Sequence, residues 1–93
     1  MLTGNALLLY KKKILSILAD YSGIEVREDQ VITDAQINLS PNVRPDDARQ
    51  ALDALKGDGF AARRVDDLRG AVWKITPEGH AAKSKLALTE EDA

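Results

Sequence analysis

The fold is decided by residues 45–79, which read PDDARQALDALKGDGFAARRVDDLRGAVWKITPEG. The stretch opens with Pro45, which suits the first position of a helix because the N–H that proline lacks would have no partner there. Alanines and leucines then recur at three- and four-residue spacing until a glycine-rich break at residues 57–59. The pattern predicts an amphipathic helix over residues 45–56.

The second half of the stretch predicts a hairpin and another helix. Residues 60–65 and 71–75 are short runs that fit strands, and the polar residues 66–70 between them predict a looped β-hairpin. Thr76 is placed to cap a following helix, with Pro77 in its first position. The predicted order is therefore helix, strand, strand, helix.

The N-terminal segment predicts a long helix from Asn5 to Tyr21, with Asn5 as its cap and Gly23 beyond its end. Its apolar stripe is wider than one face of a small core requires. Either neighbouring helices sandwich this helix or part of the stripe contacts a second subunit. We expect a homodimer whose interface is formed by Leu7, Leu8, Leu9, Leu15, Leu18 and Leu86.

The segment between the two predicted helices allows two interpretations. Residues 24–27 alternate between apolar and charged side chains, which favours a short strand. Thr33, with Gln36 in the capping-box position, favours a short helix over residues 33–39. A strand over residues 30–39 also fits, because apolar residues in that range fall at even spacing.

Composition limits the classes of function. The 93 residues suffice for a single domain, predicted over residues 1–88, with an acidic C-terminal tail over 89–93. The sequence shows neither a membrane-spanning run nor a signal peptide, and we predict a cytoplasmic protein. The formal net charge of −2 argues against binding nucleic acid through bulk charge, although a local basic face is compatible with it.

No pattern of catalytic or metal-ligating residues is evident. Cysteine is absent, and a single histidine, His80, leaves few options for a zinc site. The serines lack an accompanying histidine–carboxylate arrangement, and the glycines do not form a dinucleotide-binding loop. We therefore predict a protein that is not an enzyme, with no cofactor, no metal and no catalytic residue.

Three pieces of the sequence carry a family likeness. Leu39-Ser40-Pro41 resembles the turn of a helix-turn-helix, and residues 51–60 resemble the exit of its recognition helix. Residues 73–79 are similar to the last wing strand and the following helix start of MarR- and PadR-type regulators. Together these pieces resemble a winged helix-turn-helix domain, a mainly α fold with a small β-hairpin, in the order α-(β)-α-α-β-β-α.

The resemblance implies a homodimeric transcription regulator that binds duplex DNA. Its recognition helix, residues 45–56, and its wing, residues 60–75, would provide the contacts. The implied DNA-binding residues are Arg44, Arg49, Gln50, Arg63, Arg64, Arg69 and Lys74.

An alternative function is a winged-helix module that binds protein, or an accessory subunit, without DNA binding. The net negative charge favours it, and so does a turn about one helical turn longer than in the family pattern. In this interpretation Arg49 and Gln50 are solvated helix positions, and the wing arginines pair with Asp66 and Asp67. One contiguous positive face would favour DNA, whereas interspersed charges would favour a protein partner.

Overall fold

The computed structural model describes residues 2–92, with side chains described as far as residue 85. Within this range the chain forms four helices and a three-stranded antiparallel sheet of strand order β1-β3-β2. The elements are α1 (Gly4–Asp20), β1 (Val26–Arg27), α2 (Glu28–Asn38), α3 (Pro45–Gly57), β2 (Ala61–Asp66), β3 (Gly70–Ile75) and α4 (Pro77–Asp92). The predicted fold class and element order are confirmed.

Helix α1 begins one residue earlier than predicted. Its N-cap residue is Thr3, which makes no side-chain capping hydrogen bond, so the prediction of Asn5 as the cap is wrong. Beyond the helix the backbone takes positive φ at Ser22 (55°) and at Gly23 (81°). The predicted left-handed glycine is thereby confirmed.

Helix α2 begins at Glu28, five residues before the predicted cap. Arg27 is the extended N-cap residue, and the acidic Glu28 and Asp29 occupy the first turn, where the helix dipole favours negative charge. Thr33 therefore lies inside the helix, and its hydroxyl donates to the carbonyl oxygen of Asp29 (3.0 Å). The side chain of Gln36 donates to the carbonyl oxygen of Val43 (3.1 Å) instead of closing a capping box.

The core lies where α1, α2 and α3 pack together and against the inner face of the sheet. Its largest fully buried side chains are Trp73, Ile14, Leu15, Leu18, Leu52, Leu55 and Val31. Among the described residues no polar or charged residue is buried. Leu15 and Leu18 have no exposed surface, which corrects their prediction as dimer-interface residues, because the core of the chain itself covers them.

The hairpin is longer than predicted and its tip is shorter. The register runs from Ala61 opposite Ile75 to Asp66 opposite Gly70, which leaves residues 67–69 as the tip. The carboxylate of Asp66 accepts hydrogen bonds from the two backbone N–H groups at positions 68 (2.8 Å) and 69 (3.1 Å). These bonds satisfy donors that the sheet leaves free and fix the turn.

Helix α4 starts as predicted and packs closely against the end of the hairpin. The hydroxyl of Thr76 accepts a hydrogen bond from the N–H of Gly79 (3.0 Å) and donates to the carbonyl oxygen of Gly59 (2.7 Å). Gly79 is buried so near the carbonyl of Phe60 that a β-carbon would overlap it. The helix continues to Asp92, through most of the segment predicted as a tail.

None of the described helices has the length and apolar character needed to cross a membrane.

Candidate nucleic-acid interface

The exposed face of α3 carries Arg49, which is already paired with carboxylates. Its Nε lies 3.2 Å from Glu28 and one terminal nitrogen lies 3.2 Å from Asp46. The side chain is 49% exposed, and an arginine has five donors, so part of the guanidinium group remains open to a further acceptor. The structure thus places Arg49 at the predicted surface with its charge largely balanced.

Gln50 is held by the N-terminal segment. Its side-chain oxygen accepts from the N–H of Leu2 (2.8 Å) and its side-chain nitrogen donates to the carbonyl oxygen of Leu2 (2.8 Å). The amide group thereby pairs with the backbone in the same bidentate manner that would be needed to bind adenine. Reading a base with Gln50 would require Leu2 to leave.

Glu28 of α2 connects α3 with β3 through two hydrogen bonds. Its carboxylate accepts from the indole N–H of Trp73 (3.1 Å) and from Arg49 (3.2 Å). The indole is 1% exposed, so this bond satisfies a donor that would otherwise be buried without a partner. The Trp73 ring therefore lies in the core with its one polar atom hydrogen-bonded. The hydrogen bonds fix α3 relative to the sheet.

The wing carries an ion-pair network on its outer face. Two nitrogens of Arg64 each lie 2.7 Å from a different carboxylate oxygen of Glu25, so the two side chains form a bidentate ion pair. Arg69 lies 3.2 Å from Glu25 and 3.1 Å from Asp66, and Arg64 lies 3.3 Å from Asp66. Of the two predicted wing acids, Asp66 pairs with arginine.

These contacts lower the pKa values of Glu25 and Asp66. Hydrogen bonds from Arg64, followed by its charge and by the hydrogen bond from Arg69, lower the pKa of Glu25 to about 2. Hydrogen bonds from the backbone N–H groups of Leu68 and Arg69 hold the pKa of Asp66 far below its ordinary value. Both groups are therefore charged at neutral pH, and the network persists there.

Three cations at the predicted interface have no carboxylate partner among the described residues. They are Arg44 at the N-cap of α3, Arg63 on β2 and Lys74 on β3. Arg63 lies opposite Trp73 in the register, on the inner face of the sheet, whereas Lys74 shares the outer face with Arg64. The seven predicted DNA-binding residues thus divide into three free cations, three paired arginines and one engaged amide.

The positive charges do not form one contiguous face. Arg49 of α3 and Arg69 of the wing are each paired with two carboxylates. A pocket of about 350 Å³ beside the start of α3 is lined by Arg44, Asp46, Asp47 and Gln50, so acids outnumber bases there as well. Interspersed charge is the arrangement that favours a protein partner.

Among the described residues, large apolar side chains are exposed on α1, on α2 (Ile37, 75%) and around the sheet (Ile24, 67%; Val65, 64%; Leu68). On α1, Leu8 is 45% and Leu9 is 48% exposed, and Leu7 packs partly against the core. At the wing tip Leu68 is 96% exposed. The side chain of Leu86 lies outside the described residues, so its predicted place at a dimer interface stays a prediction.

Sequence reasoning predicted Asp66 as a partner of the wing arginines but missed Glu25 and Glu28. Glu25 lies 39 positions from Arg64 and Glu28 lies 21 positions from Arg49, and no local pattern links such residues. Only the pairing of β1 with β3 brings Glu25 beside the hairpin. Among the described residues no cluster of His, Cys, Asp or Glu is arranged to hold a metal ion.

Comparison with solved structures shows what this arrangement resembles. A MarR-family transcriptional regulator from Silicibacter pomeroyi matches with a TM-score of 0.69 and 28% identity, over 83% of this chain and 47% of that one. ZitR of Lactococcus lactis matches with a TM-score of 0.68 and 16% identity, over 92% of this chain and 60% of that one. A transcriptional regulator from Clostridium thermocellum matches with a TM-score of 0.74 and 17% identity, over 98% of this chain and 89% of that one.

The first two of these proteins are longer than this chain, which spans about half to three fifths of their length. No protein-family model matches the sequence, and no curated protein is significantly similar to it. The matches to regulators under 25% identical establish the fold alone. The chain is a winged-helix domain that resembles the MarR-family transcriptional regulators.

Proposed function

We propose that the chain is a transcription regulator that binds duplex DNA through α3 and the wing. The observation that carries the proposal is the match to a MarR-family regulator over 83% of the chain at 28% identity. In a helix-turn-helix domain the second helix of the motif enters the major groove, and here that helix is α3. Glu28 fixes the angle between α3 and the sheet, so both elements would meet DNA as one rigid unit.

The unpaired cations are the best candidates for phosphate contacts. Arg44, Arg63 and Lys74 pair with no carboxylate among the described residues, so they would approach phosphate without first leaving one. Arg49 would read a base edge with the donors that Glu28 and Asp46 leave open. Gln50 would contribute only after release from Leu2.

The test is the salt dependence of binding to a labelled mixed-sequence duplex, followed by fluorescence anisotropy. If the three free cations each neutralise one phosphate, log Kd against log salt should have a slope of about 2.7 in magnitude. Lys13→Ala, which removes an exposed cation on α1, is the matched control and should leave the slope unchanged. Absence of binding at about 50 mM salt would contradict the proposal.

Dimerisation belongs to the same proposal. Two half-site contacts require two copies of α3, and α1 offers the partly exposed Leu8 and Leu9 for the contact. Sedimentation at micromolar concentration should give twice the mass of one chain, and Leu8→Ser with Leu9→Ser should give the mass of one. A wild-type chain that sediments as a monomer would contradict this part.

Binding to a protein partner is the second candidate function. The pairing of Arg49, Arg64 and Arg69 with carboxylates favours it, because a surface of alternating charge suits a protein better than a polyanion. This candidate predicts no salt-dependent duplex binding. The anisotropy experiment therefore separates the two.

A further inference from the structure

The ion pair between Arg64 and Glu25 joins the two edges of the sheet. Arg64 belongs to the edge strand β2, whereas Glu25 immediately precedes β1 at the opposite edge, and β3 lies between them. The Arg64 side chain must therefore pass over the central strand. In the register it lies opposite Val72, which in turn lies opposite Arg27 of β1.

The burial of Val72 agrees with this path. Val72 is fully buried yet does not belong to the apolar core cluster. It occupies the outer face of the sheet, where the sequence pattern leads one to expect an exposed residue. A side chain stretched across the outer face accounts for that burial, so the arginine packs on the sheet and also pairs at the far edge.

The same carboxylate holds the wing tip. Glu25 accepts hydrogen bonds from Arg69 (3.2 Å) and from Arg64. Asp66, the last residue of β2, also contacts both arginines. Two guanidinium groups thus share two carboxylates, and the network is neutral. Arg64 and Arg69 are 53% and 40% exposed, so an approaching phosphate can reach them, in competition with Glu25.

We propose that Glu25 is a positioning residue that restrains DNA binding by retaining Arg64 and Arg69 on the outer face of the wing. This inference rests on the proposed DNA-binding function. In the free protein the carboxylate takes the place that phosphate would occupy. Each of the two arginines contacts DNA only by exchanging the carboxylate for a phosphate. The affinity of the domain for DNA is therefore lower than it would be if both arginines were unpaired.

The test compares two variants that remove one negative charge each from the same sheet region. Glu25→Gln keeps the shape of the side chain and removes its charge. Asp67→Asn removes a charge in the wing tip, from a carboxylate that forms no ion pair with Arg64 or Arg69. Any general effect of net charge appears in both variants, and the Asp67 variant measures it.

Glu25→Gln should bind the mixed-sequence duplex more tightly than Asp67→Asn, by about eightfold at about 0.1 M salt for each additional phosphate that the released arginines neutralise. Its log–log salt slope should steepen by about 0.9 for each such phosphate. In a background of Arg64→Ala with Arg69→Ala the extra affinity should vanish. Glu25→Asp keeps the charge but withdraws it by one methylene, so it should strengthen binding less than Glu25→Gln does. If circular dichroism shows Glu25→Gln to be unfolded, Glu25→Asp takes its place in the comparison.

Equal affinity of the Glu25 and Asp67 variants, or weaker binding by Glu25→Gln, would overturn the inference. Weaker binding would mean that Glu25 presents the arginines to DNA. If the wild-type domain binds duplex and only this difference is missing, DNA binding stands without the restraint. If neither wild type nor Glu25→Gln binds, the proposed function fails and the inference fails with it.

Discussion

The helical body and the wing of this domain are stabilised by different interactions. In the body, side chains such as Ile14, Leu18 and Leu52 are fully buried, and no polar residue is buried among the described residues. In strand β2 only Ala61 is buried, and the outer face of the sheet is held by arginines that share carboxylates. The body therefore depends on apolar packing, whereas the outer face of the wing depends on charge and responds to salt, acid and competing anions.

Trp73 belongs to both regions and should show the largest effect on stability. Its ring is in the core, and its indole N–H binds Glu28. Trp73→Ala should lower the free energy of unfolding by about 3–5 kcal/mol, measured by urea denaturation. Trp73→Phe retains most of the packing and should cost clearly less; equal losses would show that the hydrogen bond, and not the packing, dominates.

Gly79 tests the junction between the hairpin and α4. A methyl group at this position overlaps the carbonyl of Phe60, so Gly79→Ala should destabilise the domain by about 1–3 kcal/mol. Gly57 also lies in a helix but has open space around it, and Gly57→Ala should be neutral or stabilising by up to about 1 kcal/mol. Thermal unfolding of both variants measures the difference, and a neutral Gly79→Ala would contradict the close packing.

Acid should affect the wing network in a defined range. Because the pKa of Glu25 is lowered to about 2 from an ordinary value of 4.5, its contribution to stability is complete above pH 4.5 and is lost as the pH falls toward 2. A carbon-detected NMR titration of the Glu25 carboxyl carbon should show this low pKa. Arg64→Ala should raise the pKa toward its ordinary value, and an unchanged titration would contradict the bidentate pair.

The body was predictable from the sequence because its signals are local. Helical spacing and the break at residues 57–59 located α3, and Thr76 with Pro77 located the start of α4. The start of α2 was missed because Thr33 and Gln36 fit a capping box that the chain does not use. Acidic residues in a first helical turn, at Glu28 and Asp29, were the signal that marked the true start.

The long-range carboxylate partners of the predicted interface residues could not be predicted from the sequence. The arginines of α3 and the wing could be identified from the helix–hairpin pattern. Their partners Glu25 and Glu28 could not, because the pairing depends on how β1 and α2 are placed against the sheet. Likewise, nothing local indicates that Leu2 engages Gln50.

The central claim, that this is a DNA-binding winged helix whose wing is partly neutralised, is tested most directly by two neighbouring arginines. Arg63 has no carboxylate partner among the described residues, whereas Arg64 is held by Glu25. In salt titrations of duplex binding, Arg63→Ala should flatten the log–log slope by about 0.9, and Arg64→Ala should leave it nearly unchanged. Equal flattening by both variants would contradict the neutralised wing, and the absence of any duplex binding would contradict the claim as a whole.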